Sequence, residues 1–227
     1  AGPGINDNGS GSAAMREVAE QRRNARPANT VRLAWWGAEE SGLIGSDFYV
    51  ANLTEEERAN IALYLNFDMV GSPNYVRFVY DGDGSAFGLA GPPGSDAIEA
   101  LFEDFYADRG LAFEPTEIDF RSDYAAFFDN GIPFGGLFTG AEGIKTAEEV
   151  AVYGGTADQQ YDPCYHMACD TFANNSNAVL DLNSDAIALS TLTYAMSTDT
   201  VTSAPAASAL SSATATAATR FGQLPAE

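Results

Sequence analysis

Short apolar runs recur along the chain between longer mixed segments, a pattern that predicts strands alternating with helices. The runs at 31–36, 63–68, 76–80 and 132–138 predict buried strands. The mixed segments predict helices over about 10–23, 43–53, 95–109 and 184–196. Thr54 and Glu57 have the spacing of a capping box that opens a further short helix, and Ser95 is the predicted N-cap of the helix that follows it.

Alternating strands and helices predict an α/β fold, with a sheet covered by helices on both faces. A length of 227 residues suits one such domain. A long loop is expected between the 132–138 strand and about Asp170. Because the chain is rich in Ser, Thr, Ala and Pro from 197 onward, we expect a domain over 1–196 and a linker or disordered tail over 197–227. A packed peripheral segment is the alternative for this tail.

The charge of the chain narrows the range of partners. The net charge is −21, with a single lysine (Lys145) and a single histidine (His166). Phosphate binding relies on Lys and Arg, so neither nucleic acid nor an anionic membrane surface is an expected partner. No apolar run reaches the length of a membrane span, and no signal peptide opens the chain. The first seven residues read as the middle of a loop, so we expect that upstream residues are missing.

Acidic residues stand where sites gather in open α/β sheets, at strand ends and in loops. Asp7 lies in the opening loop, Glu39 and Glu40 follow the 31–36 strand, and Asp68 closes the 63–68 strand. Asp7 could instead shape a turn, and the two glutamates could cap the next helix. Asp68 is harder to explain structurally, because a carboxylate at the end of an apolar strand needs a partner.

His166 lies in the long loop between Cys164 and Cys169. The cysteines are either two buried thiols or a short-loop disulfide that fixes the local shape around the histidine and implies an oxidising compartment. His166 taken alone could be a satisfied loop residue. Together with the carboxylates it predicts a divalent metal site, because catalytic zinc is commonly held by His nitrogen and Asp or Glu oxygen.

Six segments in order resemble the secreted bacterial di-zinc aminopeptidases of metallopeptidase clan MH, the leucyl aminopeptidase-like zinc exopeptidases. They are the bridging-aspartate segment at 2–11, the Glu-Glu segment at 33–46, and the blocks at 65–72, 121–124, 135–140 and 161–166. The resemblance covers residues 1 to about 196. It implies a mixed central sheet flanked by helices on both faces, here without the family's N-terminal strands.

The resemblance also implies a set of metal ligands. Asp7 corresponds to the carboxylate that bridges two zinc ions, and a cis peptide bond is expected between Asp7 and Asn8. Glu40 and His166 correspond to the other ligands of the first zinc. Asp68 corresponds to a ligand of the second.

The remaining site residues are also implied by the resemblance. Glu39 corresponds to the general base for the zinc-activated water, and Tyr165 to the oxyanion donor. Arg121 corresponds to a cation that orients the substrate, while Met69 and Phe138 are expected to form an apolar pocket for the N-terminal side chain. The implied reaction is hydrolysis of the N-terminal peptide bond of peptides with large apolar N-terminal residues.

The sequence departs from the family at two places. The family has a His-x-Asp block about a dozen residues before the bridging aspartate, whereas only six residues precede Asp7. We therefore expect two zinc ions in the full-length protein but one complete ligand set in this chain, which would be weakly active or inactive. Tyr124 stands where family members often carry His.

Three further expectations complete the picture. Asp181 and Asp185 lie four apart near the predicted start of the last helix, where they either bind calcium or cap the helix. We expect a secreted monomer that acts on peptides with a free N-terminus. The alternatives are a glutaminyl-cyclase-like zinc acyltransferase on the same fold and a catalytically dead acidic domain that binds a partner.

Overall fold

The computed structural model describes residues 2–21 and 25–202, and its four strands form one mixed sheet. The strands are β1 (Tyr64–Phe67), β2 (Phe78–Tyr80), β3 (Glu114–Thr116) and β4 (Phe134–Phe138), in the order β1-β4-β2-β3. β1 pairs with β4 and β2 with β3 in parallel, whereas β2 and β4 are antiparallel. The predicted mixed sheet is therefore confirmed.

Eight α-helices occur in the part of the chain that the structure describes. They are α1 (Gly9–Gln21), α2 (Ile44–Ala51), α3 (Glu55–Ala59), α4 (Ser95–Ala107), α5 (Ala125–Asp129), α6 (Ala147–Tyr153), α7 (Asn177–Met196) and α8 (Asp199–Thr202). Two short 3-10 helices cover Glu39–Ser41 and Phe172–Asn174. None of the helices within the described ranges is long and apolar enough to cross a membrane.

Helices pack on both faces of the sheet because neighbouring strand residues point to opposite sides. Phe67 and Leu137 face the main core, which α1, α4 and α7 complete. Tyr64 faces the other way and stacks on Phe127 of α5, with ring centroids 3.9 Å apart. On that same side Phe134 stacks on Tyr124 at 4.5 Å. The prediction of a sheet covered on both faces is confirmed.

The buried strand predicted over 31–36 is wrong. In the described residues this segment pairs with no strand, and Trp35 is 52% exposed. Its apolar, β-rich pattern resembles that of β1, but a strand also needs a neighbour for its backbone N–H and C=O groups. The pattern of a single segment cannot show whether such a neighbour exists.

The helix ends show which capping predictions hold. The capping box is confirmed, because the Glu57 N–H donates to Thr54 Oγ1 and the Thr54 N–H donates to Glu57 Oε2. The Ser95 cap is wrong: Gly94 is the N-cap of α4, and Ser95 Oγ accepts a hydrogen bond from the Phe134 N–H of β4. A tertiary partner thus takes the hydroxyl that a local cap would have used.

The last part of the chain departs from prediction in three ways. The expected long loop contains α6, which opens with a capping box at Thr146. Helix α7 begins at Asn177, seven residues earlier than predicted, because Ser176 caps it. The short helix α8 lies inside the predicted tail, with Val201 buried in the main core. The rest of that tail, 203–227, lies outside the described residues.

Candidate metal centre

Three loops bring Asp7, Glu40 and His166 together. Nε2 of His166 lies 3.2 Å from Asp7 Oδ2 and 2.9 Å from Glu40 Oε2. One ligand atom from each of the three residues lies within 4.8 Å of those of the other two. Asp7 precedes α1, Glu40 belongs to the first 3-10 helix, and His166 lies in the loop closed by the Cys164–Cys169 disulfide. The structure therefore gathers the residues predicted to hold the first zinc.

The carboxylates in and around this group are partly buried and crowded, and both effects raise their pKa values. Burial and then the charges of Asp68 and Glu40 raise the pKa of Asp7 to about 8. Burial, followed by the charges of Asp68 and Asp123, raises the pKa of Glu39 to about 8. Such crowding disfavours ionised carboxylates unless a cation compensates them. One imidazole and two carboxylates are also the kind of donor set that zinc prefers, so these residues fit a zinc ion.

Asp68 does not belong to the group of Asp7, Glu40 and His166, hereafter the triad. Its charge nevertheless adds to burial in raising the pKa values of Asp7 and Glu39. It follows β1 directly, and its Oδ2 accepts a hydrogen bond of 2.7 Å from Ser122 Oγ. Burial raises the pKa of Asp68 to about 6, while the Ser122 hydrogen bond acts in the opposite direction. Its role as a ligand of a second zinc stays a prediction.

The peptide bond between Asp7 and Asn8 is cis, as predicted. The Asn8 side chain ties this loop to the end of β1. Its Nδ2 donates to the Phe67 carbonyl, and its Oδ1 accepts the Met69 N–H. Asp7 and Asp68 are therefore held in register by a single amide side chain that sequence reasoning did not single out.

The predicted catalytic side chains lie beside the triad. Glu39 adjoins Glu40 in the 3-10 helix, and the Tyr165 ring stacks on His166 at 3.8 Å. Arg121 Nη2 donates to Tyr165 Oη over 3.3 Å. Burial raises the pKa of Tyr165 to about 12, although the Arg121 charge opposes this. Tyr165 therefore remains a protonated hydrogen-bond donor at neutral pH.

Glu142 is a site neighbour that the sequence analysis missed. Its Oε1 lies 2.7 Å from Arg121 Nη1, on the other arm of the guanidinium from Tyr165. The hydrogen bond with Arg121 lowers the pKa of Glu142 and keeps it ionised. Glu142 follows the 135–140 block by only two residues, and nothing in the sequence indicated that it pairs with Arg121.

A cavity of about 470 Å³ opens beside the triad. Asp7, Glu40 and His166 line it together with Met167 and Asp170. Met69 and Phe138, the residues predicted to form the apolar pocket, are not among the residues that line this cavity. Met69 is only 2% exposed, and Phe138 packs against Phe78 with ring centroids 6.0 Å apart. Their role in a substrate pocket stays a prediction.

The predicted disulfide between Cys164 and Cys169 is confirmed, with the two Cα atoms 5.3 Å apart. Asp181 and Asp185 lie at exposed positions inside α7, not near its start, so capping does not explain them. Neither residue belongs to a group of potential metal ligands in the described chain. Calcium binding at this pair has no support in the geometry.

A mixed sheet with helices and a carboxylate–histidine group in the segments beside it define the class of the protein, a candidate zinc enzyme. The chain belongs to peptidase family M28, whose family model matches residues 1–191.

Named relatives are similar to the chain over most of its length. An aminopeptidase of Pseudomonas aeruginosa strain UCBPP-PA14 is 61% identical over 88% of the chain, which spans 37% of that relative. Leucine aminopeptidase 2 of Trichophyton equinum is 53% identical over 87% of the chain, which spans 40% of it. The chain thus covers about two fifths of the length of the curated relatives it matches.

The fold is also similar to a solved structure. The zinc aminopeptidase BSAP from Bacillus subtilis matches with a TM-score of 0.66 at 25% sequence identity. The match covers 83% of this chain and 42% of the Bacillus chain. The predicted resemblance to zinc aminopeptidases is therefore confirmed at the level of fold and family.

Proposed function

We propose that this chain carries the catalytic centre of a secreted zinc aminopeptidase. The observation that carries the proposal is the convergence of Asp7, Glu40 and His166 within 4.8 Å of one another. The names of the relatives support an aminopeptidase, and "leucine aminopeptidase" among them supports a preference for large apolar N-terminal residues. The disulfide supports an oxidising compartment and hence secretion.

Asp7, Glu40 and His166 would hold one zinc ion, and Asp68 with Asp7 would supply part of a second site. When bound, zinc supplies a Lewis acid that makes water more acidic at neutral pH. With zinc bound and the surrounding carboxylates ionised, the remaining negative charge would attract the free α-ammonium group of a peptide, because opposite charges in a partly buried site interact strongly. This attraction restricts hydrolysis to the N-terminal bond.

Glu39 acts as the general base. Its position next to Glu40 places a carboxylate beside the metal ligands without making it one of the triad. Burial and the charges of Asp68 and Asp123 raise its pKa to about 8 in the metal-free protein. A zinc ion held by the neighbouring ligands would favour the ionised form, which can accept a proton. Tyr165 donates a hydrogen bond to the carbonyl oxygen as negative charge develops there, and Arg121 orients the tyrosine.

The test is hydrolysis of leucyl-p-nitroanilide by the zinc-loaded protein, with N-acetylleucyl-p-nitroanilide as the blocked substrate. Because this chain has one complete ligand set, we expect weak but measurable turnover of the first substrate and none of the second. The variant Glu39→Gln should lower kcat by about 10²–10⁴-fold while zinc binding persists, since a general base contributes on that order. Glu56→Gln, at an exposed position of α3, is the matched control and should behave as wild type.

Other outcomes identify the alternatives. Turnover of peptides with N-terminal glutamine, without hydrolysis of the leucyl substrate, would indicate a glutaminyl-cyclase-like acyltransferase. No turnover of either substrate by the zinc-loaded protein would indicate a binding domain and contradict the proposal.

A further inference from the structure

Two buried carboxylates, Asp162 and Asp170, lie in the loop that carries His166. They are 0% and 2% exposed, respectively. Within the described residues their hydrogen-bond partners are all uncharged N–H groups of the backbone or of asparagine side chains. Burying a carboxylate is costly unless hydrogen bonds replace those it made with water. These hydrogen bonds compensate that cost and fix the positions of both groups.

Asp170 contacts the backbone on which Asp7 stands. Its Oδ1 accepts the Asn6 N–H over 2.9 Å, and its Oδ2 accepts the Asp7 N–H over 3.1 Å. The Asp170 carbonyl also accepts the Ile5 N–H over 3.3 Å. One residue therefore receives three consecutive backbone N–H groups of the loop that presents Asp7.

Asp170 also belongs to the segment that presents His166. It lies four residues after the histidine, and the intervening turn is closed by the Cys164–Cys169 disulfide. The Asp170 N–H donates to the Met167 carbonyl, which ties it to the residue that follows His166. The carboxylate thus links the two loops whose side chains meet at 3.2 Å between His166 Nε2 and Asp7 Oδ2.

Asp162 strengthens the same junction from the other side. Its Oδ2 accepts Asn6 Nδ2 over 2.7 Å, and its Oδ1 accepts the Cys164 N–H over 2.8 Å. Asn174 Nδ2 donates to Asp162 over 2.7 Å and to Asp170 over 3.3 Å, so it joins the two carboxylates. In this network only Asp170 contacts the backbone of Asp7.

We propose that Asp170 is a positioning residue of the metal centre: it fixes Asp7 relative to His166 so that both face one zinc ion. Both carboxylate oxygens of Asp170 accept backbone N–H groups, so it acts through Asp7 and is not itself a ligand. This inference rests on the proposed zinc centre. It predicts that Asp170 sets the affinity for zinc beyond any effect on folding.

The test compares Asp170→Asn with Ser95→Ala, measuring zinc affinity by competition with a chromophoric chelator and apo-protein stability by urea unfolding. Asn at 170 keeps the shape of the side chain but replaces one acceptor oxygen by a donor. Ser95 is a matched control because its buried hydroxyl also accepts a backbone N–H, that of Phe134 at the start of β4. That contact involves none of the triad residues.

Both variants should lower the stability of the apo protein, but only Asp170→Asn should also weaken zinc binding by about 10–100-fold, the usual effect of removing a group that orients a ligand. If Asp170→Asn does not fold, Asn174→Ala removes one donor to Asp170 and should weaken zinc binding more mildly.

Zinc affinity equal to wild type in the folded Asp170→Asn variant, or in Asn174→Ala when that is the variant that folds, would overturn the positioning role and leave the proposed function standing. Absence of zinc binding by the wild-type chain would overturn the metal centre itself, and the role of Asp170 with it.

Discussion

Zinc binding should depend steeply on pH between 6 and 8, because Asp7 must lose a proton to become a ligand. Burial and the charges of Asp68 and Glu40 raise the pKa of Asp7 to about 8. At neutral pH the apo protein therefore holds a proton on Asp7, and a bound cation must displace it. The sign follows directly: affinity rises with pH until Asp7 ionises by itself, above about pH 8.

The magnitude follows from the fraction of Asp7 that is ionised. With a pKa of about 8, roughly half of Asp7 is ionised at pH 8 and about 1% at pH 6. Asp7 alone then makes zinc affinity roughly 50-fold higher at pH 8 than at pH 6. At pH 7 the binding of one zinc should release about one proton from this carboxyl group.

Two measurements check this prediction. Competition with a chromophoric chelator at pH 6, 7 and 8 gives the affinity after correction for protonation of the chelator. Calorimetry at pH 7 in two buffers of different ionisation enthalpy gives the number of protons released. The variant Asp7→Asn should lose this proton release together with most of the binding. Zinc affinity that does not change between pH 6 and 8 would show that zinc does not displace a proton from Asp7 in this range.

Three further predictions concern the neighbours of the triad. Glu142→Gln should lower kcat, because Arg121 loses the partner that holds it toward Tyr165. The loss of stability should be small, because an exposed ion pair contributes at most about 1 kcal/mol. Steady-state kinetics and urea unfolding measure the two effects separately, and an unchanged kcat would contradict the role of Glu142 in positioning Arg121. Ser122→Ala should raise the pKa of Asp68 above about 6, because the hydrogen bond that is removed favours the ionised carboxylate. An NMR titration of the carboxyl carbon measures this pKa, and a lower value in the variant would contradict the prediction. The stability of the apo protein should fall as pH rises from about 4 to 8. The folded-state pKa values of Asp7 and Glu39 exceed their ordinary values, so the folded state binds more protons than the unfolded state in that window. Urea unfolding at pH 5 and pH 8 tests this prediction, and greater stability at pH 8 without metal would contradict it.

The triad was within reach of sequence reasoning because each of its members stands in a distinctive segment. The Glu-Glu segment, the bridging-aspartate segment and the single histidine between two cysteines could each be identified locally. The resemblance of these segments to those of the zinc aminopeptidases then implied that Asp7, Glu40 and His166 meet, and the structure brings them together.

Residues whose importance arises only from long-range contacts could not be predicted. Asp170 closes a predicted loop. Only the folded structure shows that it accepts hydrogen bonds from the backbone N–H groups of Asn6 and Asp7, which lie 164 and 163 positions earlier in the chain. Glu142 became a candidate only because its carboxylate lies against Arg121. Neither residue has a local pattern that separates it from an ordinary exposed or turn-forming acid.

The fold was predictable where one segment contains its own signal. The capping box at Thr54 is such a signal, since both hydrogen bonds form within four residues. The predictions of a strand over 31–36 and of a cap at Ser95 were wrong for the opposite reason. A strand depends on a neighbouring strand, and the Ser95 hydroxyl is used by β4, so the outcome at both places is decided by partners far away in the chain.

The zinc content of the folded protein and of His166→Ala, counted by native mass spectrometry, tests the proposed metal centre directly. We expect one tightly bound zinc in the wild-type chain and none in the variant, because His166 supplies the only imidazole in the chain. The same zinc count in both proteins would place the metal elsewhere and contradict the proposed centre.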